Sequence, residues 1–195
     1  MTGFYESVVP VESELKDPAA SAAIQRGVDF FRRIVGDHPD LKGATVTVRY
    51  HPQSNERAHF RPGRISYPQT GGGVKHVTAG NVLLAGADIH SWVIVHELGH
   101  WLEHLSDATL KKVIEFLKRR AGNELVRPFN TMGTGRTFDD LEVGVKDDFK
   151  DPYVGKYYGP NRRNFAGGKQ GVANWDTVYG SEVIQWESNT CMATL

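Results

Sequence analysis

The stretch Trp92–His104, WVIVHELGHWLEH, decides how this sequence is interpreted. Its apolar residues recur at helical spacing, and Asp88 or Ser91 can cap the helix that they predict. His96 and His100 are four residues apart, so both imidazoles lie on one face of that helix, one turn apart. Two imidazoles placed in this way can bind one metal ion, and Zn²⁺ is a metal that favours such ligands.

Glu97 follows the first histidine and completes an HExxH element, HELGH at residues 96–100. Zinc bound to the two histidines lowers the pKa of a water ligand toward about 7. Glu97 flanks the metal, where it can take a proton from that water and pass it to a leaving amine. The element therefore predicts zinc-dependent hydrolysis, with His96 and His100 as ligands and Glu97 as the catalytic base and acid. His104 lies a further turn along, and we expect it outside the coordination sphere.

Upstream of this element the sequence predicts a helix and several strands. Asp17-Pro18 is a helix start, and an apolar stripe follows it to residue 36. Residues 44–50, ATVTVRY, are rich in β-branched side chains and predict a strand. Arg57–Arg61 and Arg64–Tyr67 predict two short strands of a hairpin, because Pro62-Gly63 between them is a turn dipeptide.

The sequence predicts a strand before the HELGH helix, and a second helix and a loop-rich segment after it. Val82–Ala85 predicts a short buried strand before it, and an apolar stripe predicts a second helix after it, ending at Gly122. From 123 to 180, Gly, Pro, Asn and aromatic residues dominate without periodicity. A loop of this length either binds something or packs by its aromatic residues. Ser181 then begins a last short helix.

HELGH on an apolar helix, preceded by an edge strand and a hairpin, resembles the zincin metallopeptidases. The resemblance implies an α+β fold in which a small twisted mixed sheet packs on the active-site helix. Its edge strand, for which Arg57–Arg61 is the candidate, would align an extended peptide substrate. We expect a single domain over residues 1–195, with 1–40 as an N-terminal helical segment and 123–180 as a loop-rich insertion before the third-ligand helix.

Zincins differ in their third metal ligand, and the sequence excludes some branches. The metzincin pattern needs Gly and His where this chain has Glu103 and Ser106. An aspzincin-like Asp would also fall at position 106, whereas the nearest aspartate is Asp107. Gluzincins take a Glu from a downstream helix, and Glu182 in GSEVIQ resembles that ligand. Glu187 is the second choice for the same role.

Zincins often place a Tyr or His donor where the oxyanion develops in the transition state. Tyr179, three residues before Glu182, is the first candidate for this catalytic role, and Tyr157 or Tyr158 is the alternative. Each of these tyrosines can instead belong to the core. The segment from Asp147 to Tyr158, together with Ser181 to Ile184, also resembles zincin-like domains of phage structural proteins and bacterial toxin-like modules.

The composition excludes several other classes of function. Lys and Arg number 23, as do Asp and Glu, so a net charge of zero provides no global attraction for nucleic acid or anionic membranes. The most apolar stretch, Val82–Val95, is interrupted by polar residues and is too short to span a bilayer. The start of the chain lacks the pattern of a signal peptide. We therefore expect a peptide or protein partner, no nucleic acid and no membrane, in a cytoplasmic, virion-associated or non-classically exported setting.

These features favour a zinc endopeptidase in which His96, His100 and Glu182 hold Zn²⁺ and Glu97 activates water. An alternative is a zincin-fold interaction module with a non-catalytic metal site. A third possibility is a metallohydrolase that acts on a non-peptide amide or ester, since the same activated water would serve.

Overall fold

A computed structural model describes residues 8–10, 17–68, 74–86, 89–133, 137–146, 149, 152–178 and 181. They form two compact units, which are described separately: unit 1 extends to Ser106 and unit 2 begins at Asp107. The architecture is mixed α+β, with small sheets and, among the described residues, four α-helices. The α+β prediction is confirmed, whereas a single domain over 1–195 stays a prediction. Within these same ranges, no helix is both long and apolar enough to cross a membrane.

Unit 1 contains a four-stranded mixed sheet. Its strands lie in the order β1-β2-β4-β3, with β1 parallel to β2, β2 parallel to β4 and β3 antiparallel to β4. Strand β3 is therefore at one end of the described sheet. The bounds of the strands are Val8–Pro10 for β1, Thr45–His51 for β2, His59–Pro68 for β3 and Val74–Ala85 for β4.

The predicted pair of strands around Pro62-Gly63 is wrong, because β3 runs through both segments without turning. Pro62 sits in register opposite Gly80, and pairing with β4 continues to Pro68. Proline lacks an N–H but is tolerated in a strand at the edge of a sheet, so the dipeptide does not have to form a turn there. The hairpin instead connects β3 to β4. The candidate edge segment Arg57–Arg61 lies in β3 from His59 onward.

One face of this sheet is buried and the other faces solvent. Along β2, Val46, Val48 and Tyr50 are buried, whereas Arg49 between them is exposed. Helices α1 (Pro18–Val35) and α2 (Ser91–Leu105) supply apolar residues to the same core, so both cover the buried face. The largest fully buried side chains of this core are Trp101, Phe31, Leu84, Ile94, Leu98, Val46, Val48 and Val82.

Helix α1 begins and packs as its sequence predicts. The Asp17 side chain accepts a hydrogen bond from the Ala19 backbone N–H at 2.8 Å, and so caps the helix. Gly27 lies where α1 approaches α2, since a Cβ there would be 2.8 Å from both Ile94 Cβ and the Ser91 carbonyl oxygen. The glycine therefore permits the close packing that holds α1 against α2.

In its described residues, unit 2 has one long helix and several short elements, and aromatic side chains contact one another in its core. Tyr157 contacts Phe165 and Trp175 edge to face, each at a ring-centroid distance of 5.7 Å. Of the two possibilities for residues 123–180, packing by aromatic residues is thus observed. The elements are helix α3 at Asp107–Ala121, strands β5 at Arg127–Pro128 and β6 at Val143–Gly144, and helix α4 at Arg162–Ala166.

A buried polar cluster lies beside β6 in unit 2. Glu142 accepts hydrogen bonds from the Tyr153 hydroxyl and, at 2.9 Å, from Lys156 Nζ. Burial by itself would raise the pKa of Glu142, but these two bonds, the Lys156 charge and a backbone bond from Asp139 lower it to about 2. The cluster therefore holds Glu142 in its charged form.

Candidate metal centre

Helix α2 carries the HELGH element and is buried along most of its surface. Its N-cap residue is His90, whose side chain makes no capping hydrogen bond, so the predicted cap at Ser91 is wrong. Ser91 is the first helical residue instead, and Asp88 lies outside the described residues. His96 and His100 are half-buried, and their side chains are 14% and 19% exposed. The helix thus buries its apolar face in the core and leaves both imidazoles within reach of solvent.

The three polar residues of the element converge. One potential ligand atom from each of His96, Glu97 and His100 lies within 4.8 Å of the other two. The two imidazole rings meet edge to face with centroids 4.5 Å apart, and His96 Nε2 is 3.8 Å from Glu97 Oε1. The His-Glu-x-x-His arrangement that the sequence predicts is therefore present on a helix.

This group suits a divalent metal ion such as Zn²⁺. Imidazole nitrogen and carboxylate oxygen are both common zinc ligands. Glu97 is nearly fully buried, with 5% of its side chain exposed, and its Oε1 lies 3.8 Å from His96 Nε2. Two partly exposed histidines beside a buried carboxylate form a possible metal-binding group.

Glu103 is a residue whose position the sequence did not reveal. One of its carboxylate oxygens, Oε2, is 3.5 Å from His100 Nδ1, and only 1% of its side chain is exposed. The sequence analysis assigns no role to Glu103, which it uses only to show that the chain lacks the glycine of the metzincin pattern. Its spacing of three residues from His100 places the two side chains side by side, but burial depends on neighbours that spacing does not report.

Three of the predicted ligands and donors fall outside the described part of the chain. Glu182 and Glu187, the alternatives for the third ligand, lie outside it, as does Tyr179, the candidate oxyanion donor. Their assignments stay predictions.

Two further candidates can be placed. Tyr157 is 2% exposed, and its ring packs between aromatic neighbours in the core of unit 2, which favours the packing role over that of a donor. His104 is exposed and does not belong to the group of converging ligand atoms. Its ring instead lies 5.9 Å from that of Phe60, as expected for a residue outside the coordination sphere.

Comparisons with protein-family models, curated proteins and solved structures found no match for this chain. The similarity to zincins therefore rests on the HELGH element and its placement.

Proposed function

We propose that this chain is a zinc metallopeptidase that hydrolyses peptide bonds, with His96 and His100 as metal ligands and Glu97 as the general base and acid. The observation that carries the proposal is the convergence of these three side chains, whose ligand atoms lie within 4.8 Å of one another on a buried helix. Placing polar side chains together on a helix of the core costs free energy that apolar side chains would not cost. A metal ion bound by these groups would compensate for that cost.

Each residue of the group has a distinct task in this proposal. A zinc ion held by His96 and His100 would supply Lewis-acid activation of water and of a carbonyl oxygen. Glu97 accepts the proton of the attacking water and donates it to the departing amine. Its Oε1 lies 3.8 Å from Nε2 of His96, so the carboxylate is close to a histidine that we propose as a ligand of the ion. This proximity supports the transfer of a proton from the attacking water to Glu97 and then to the leaving amine.

The position of β3 supports a peptide as the substrate. Among the described strands, β3 pairs with β4 alone, so one edge can accept a further strand. The Phe60 ring of β3 contacts His104 of α2, which shows that this strand lies beside the helix of the metal centre. An extended peptide added to this edge would use main-chain hydrogen bonds for affinity and would pass near α2.

The third ligand in this proposal is Glu182. We expect Glu182→Ala to lower zinc affinity, because loss of a ligand carboxylate leaves two histidines to hold the ion, whereas Glu187→Ala should keep the parent value. Competition titration with a chromophoric zinc chelator measures both. If Glu187→Ala loses zinc and Glu182→Ala does not, the assignment is reversed.

A peptide-hydrolysis screen tests the function directly. The zinc-loaded parent and Glu97→Gln would be incubated with a mixed-sequence peptide library, and new termini identified by mass spectrometry. We expect cleavage by the parent and a loss of about 10²-fold or more in Glu97→Gln, the scale of general acid–base catalysis. The matched control Arg26→Ala, at an exposed position of α1, should cleave at the parent rate. Equal cleavage by the parent and Glu97→Gln, or none by the zinc-loaded parent, contradicts the proposal.

A further inference from the structure

Helix α2 carries a second buried carboxylate two turns after His96. Glu103 is 3% exposed overall and 1% in its side chain, less than either histidine of the metal centre. Glutamate is almost never buried to this extent unless it is paired. The imidazole of His100, three residues earlier on the same helix, lies beside this carboxylate, with 3.5 Å between Glu103 Oε2 and His100 Nδ1.

This contact involves the ring nitrogen that decides the tautomer of His100. A neutral imidazole carries one N–H, and a carboxylate beside Nδ1 favours the proton on that nitrogen. The lone pair then lies on Nε2, on the far side of the ring from Glu103. At 3.5 Å the two atoms are about 0.3 Å beyond the usual range of an N–H···O hydrogen bond, so the observed contact is a close approach between the carboxylate and Nδ1.

We propose that Glu103 is a positioning residue of the metal centre, which holds His100 with Nδ1 protonated so that Nε2 is free to bind the metal. The inference rests on the proposed metal site and adds a residue to it. Partners of this kind orient ligand imidazoles and make them more basic.

A direct ligand role for Glu103 fits the structure less well. Glu103 does not belong to the group of carboxylate and imidazole atoms that converge within 4.8 Å, whereas Glu97 does. Its side chain also lies deeper than those of His96 and His100, whose exposed fractions are 14% and 19%. Glu103 therefore supports the ring from inside the protein, and the ion is expected on the accessible side.

Nitrogen NMR of the metal-free protein tests this role independently of catalysis. Long-range ¹H–¹⁵N spectra of the whole chain, labelled at histidine and recorded at pH 8, distinguish the two neutral tautomers. The His100 signal is assigned by its absence in His100→Asn. We expect Nδ1–H at His100 in the parent and in Glu103→Gln, whose amide oxygen can still accept the bond. Glu103→Ala should lose this preference.

Zinc affinity, measured by chelator competition, provides the second readout. We expect Glu103→Ala to bind zinc about 10- to 100-fold more weakly than the parent, the usual effect of removing such a partner. His104→Ala, an exposed histidine one residue away, is the control and should bind as the parent does. An unchanged His100 tautomer in Glu103→Ala would overturn the inference, even if the variant were less stable. Absence of zinc binding by the parent would refute the proposed function while leaving the tautomer result interpretable.

Discussion

Replacing Glu142 by Gln should remove a specific, pH-dependent part of the stability of unit 2. In the folded chain the pKa of Glu142 is lowered from 4.5 to about 2 by Tyr153, Lys156 and the Asp139 backbone, despite the opposing effect of burial. A difference of this size is worth about 3 kcal/mol, at about 1.4 kcal/mol per pKa unit. Glutamine keeps the shape of the side chain and loses its charge.

The sign of the effect follows from the lowered pKa. Because the folded state holds the proton less tightly than the unfolded state, the contribution is fully present above pH 4.5. It declines as the pH falls from about 4.5 to about 2, as Glu142 becomes protonated. The parent should therefore lose about 3 kcal/mol more than Glu142→Gln between pH 6 and pH 2.

The assay should report on unit 2 itself, because two compact units can unfold in separate transitions. Urea titrations at pH 6, 4.5, 3 and 2 would follow the methyl NMR signals of Val143 and Val145, which are buried and lie one and three residues after Glu142. Glu115→Gln, an exposed glutamate of α3, is the control and should keep the pH dependence of the parent. Parallel pH profiles for the parent and Glu142→Gln would refute the reasoning.

Three further variants test the packing of the two units and the hydrogen bonds of Glu142. Tyr157→Phe should raise the free energy of unfolding of unit 2 by up to about 1 kcal/mol, because the buried Tyr157 hydroxyl has no hydrogen-bond partner among the described residues. Tyr153→Phe should lower the free energy of unfolding, because it removes a hydrogen-bond donor to Glu142. A loss of stability in Tyr157→Phe, measured by the same urea titrations, would argue against this. Gly27→Ala should destabilise unit 1 by about 1–3 kcal/mol, because the new Cβ would lie 2.8 Å from Ile94 Cβ and from the Ser91 carbonyl oxygen. We expect this overlap to outweigh the higher helix propensity of alanine. Thermal unfolding measures the change, with exposed Arg26→Ala as the neutral control, and a higher melting temperature in Gly27→Ala would contradict the close helix contact.

The parts of the fold that could be predicted are those determined by short-range patterns. Asp17 and the apolar stripe after it predict helix α1, and the structure contains it. Capping and helical periodicity involve residues only a few positions apart, so the sequence alone reports them. The apolar residues of the HELGH segment likewise predict α2, although its N-cap is His90 and not the predicted Ser91. Spacing by four also brought His96 and His100 together, because helical geometry alone places them on one face.

The parts that could not be predicted depend on contacts between distant segments. Pro62-Gly63 has the local signature of a turn, but the position of β3 at the sheet edge lets the strand continue through it. The spacing of Glu103 places it beside His100 on the helix, but only the folded core shows that it is buried there. A sequence pattern does not report the order of strands in a sheet or the burial of a side chain. The course of β3 and the position of Glu103 could therefore not be predicted.

The zinc content of the purified chain tests the central claim most directly. Elemental mass spectrometry, without added metal, would compare the parent with Glu97→Gln, His96→Ala and His104→Ala at equal protein concentration. We expect about one zinc per chain in the parent, Glu97→Gln and His104→Ala, and little in His96→Ala, because the histidines of HELGH hold the ion and Glu97 serves the chemistry. No zinc in the parent even after zinc is added, or equal zinc in all four proteins, would contradict a metal centre at His96 and His100.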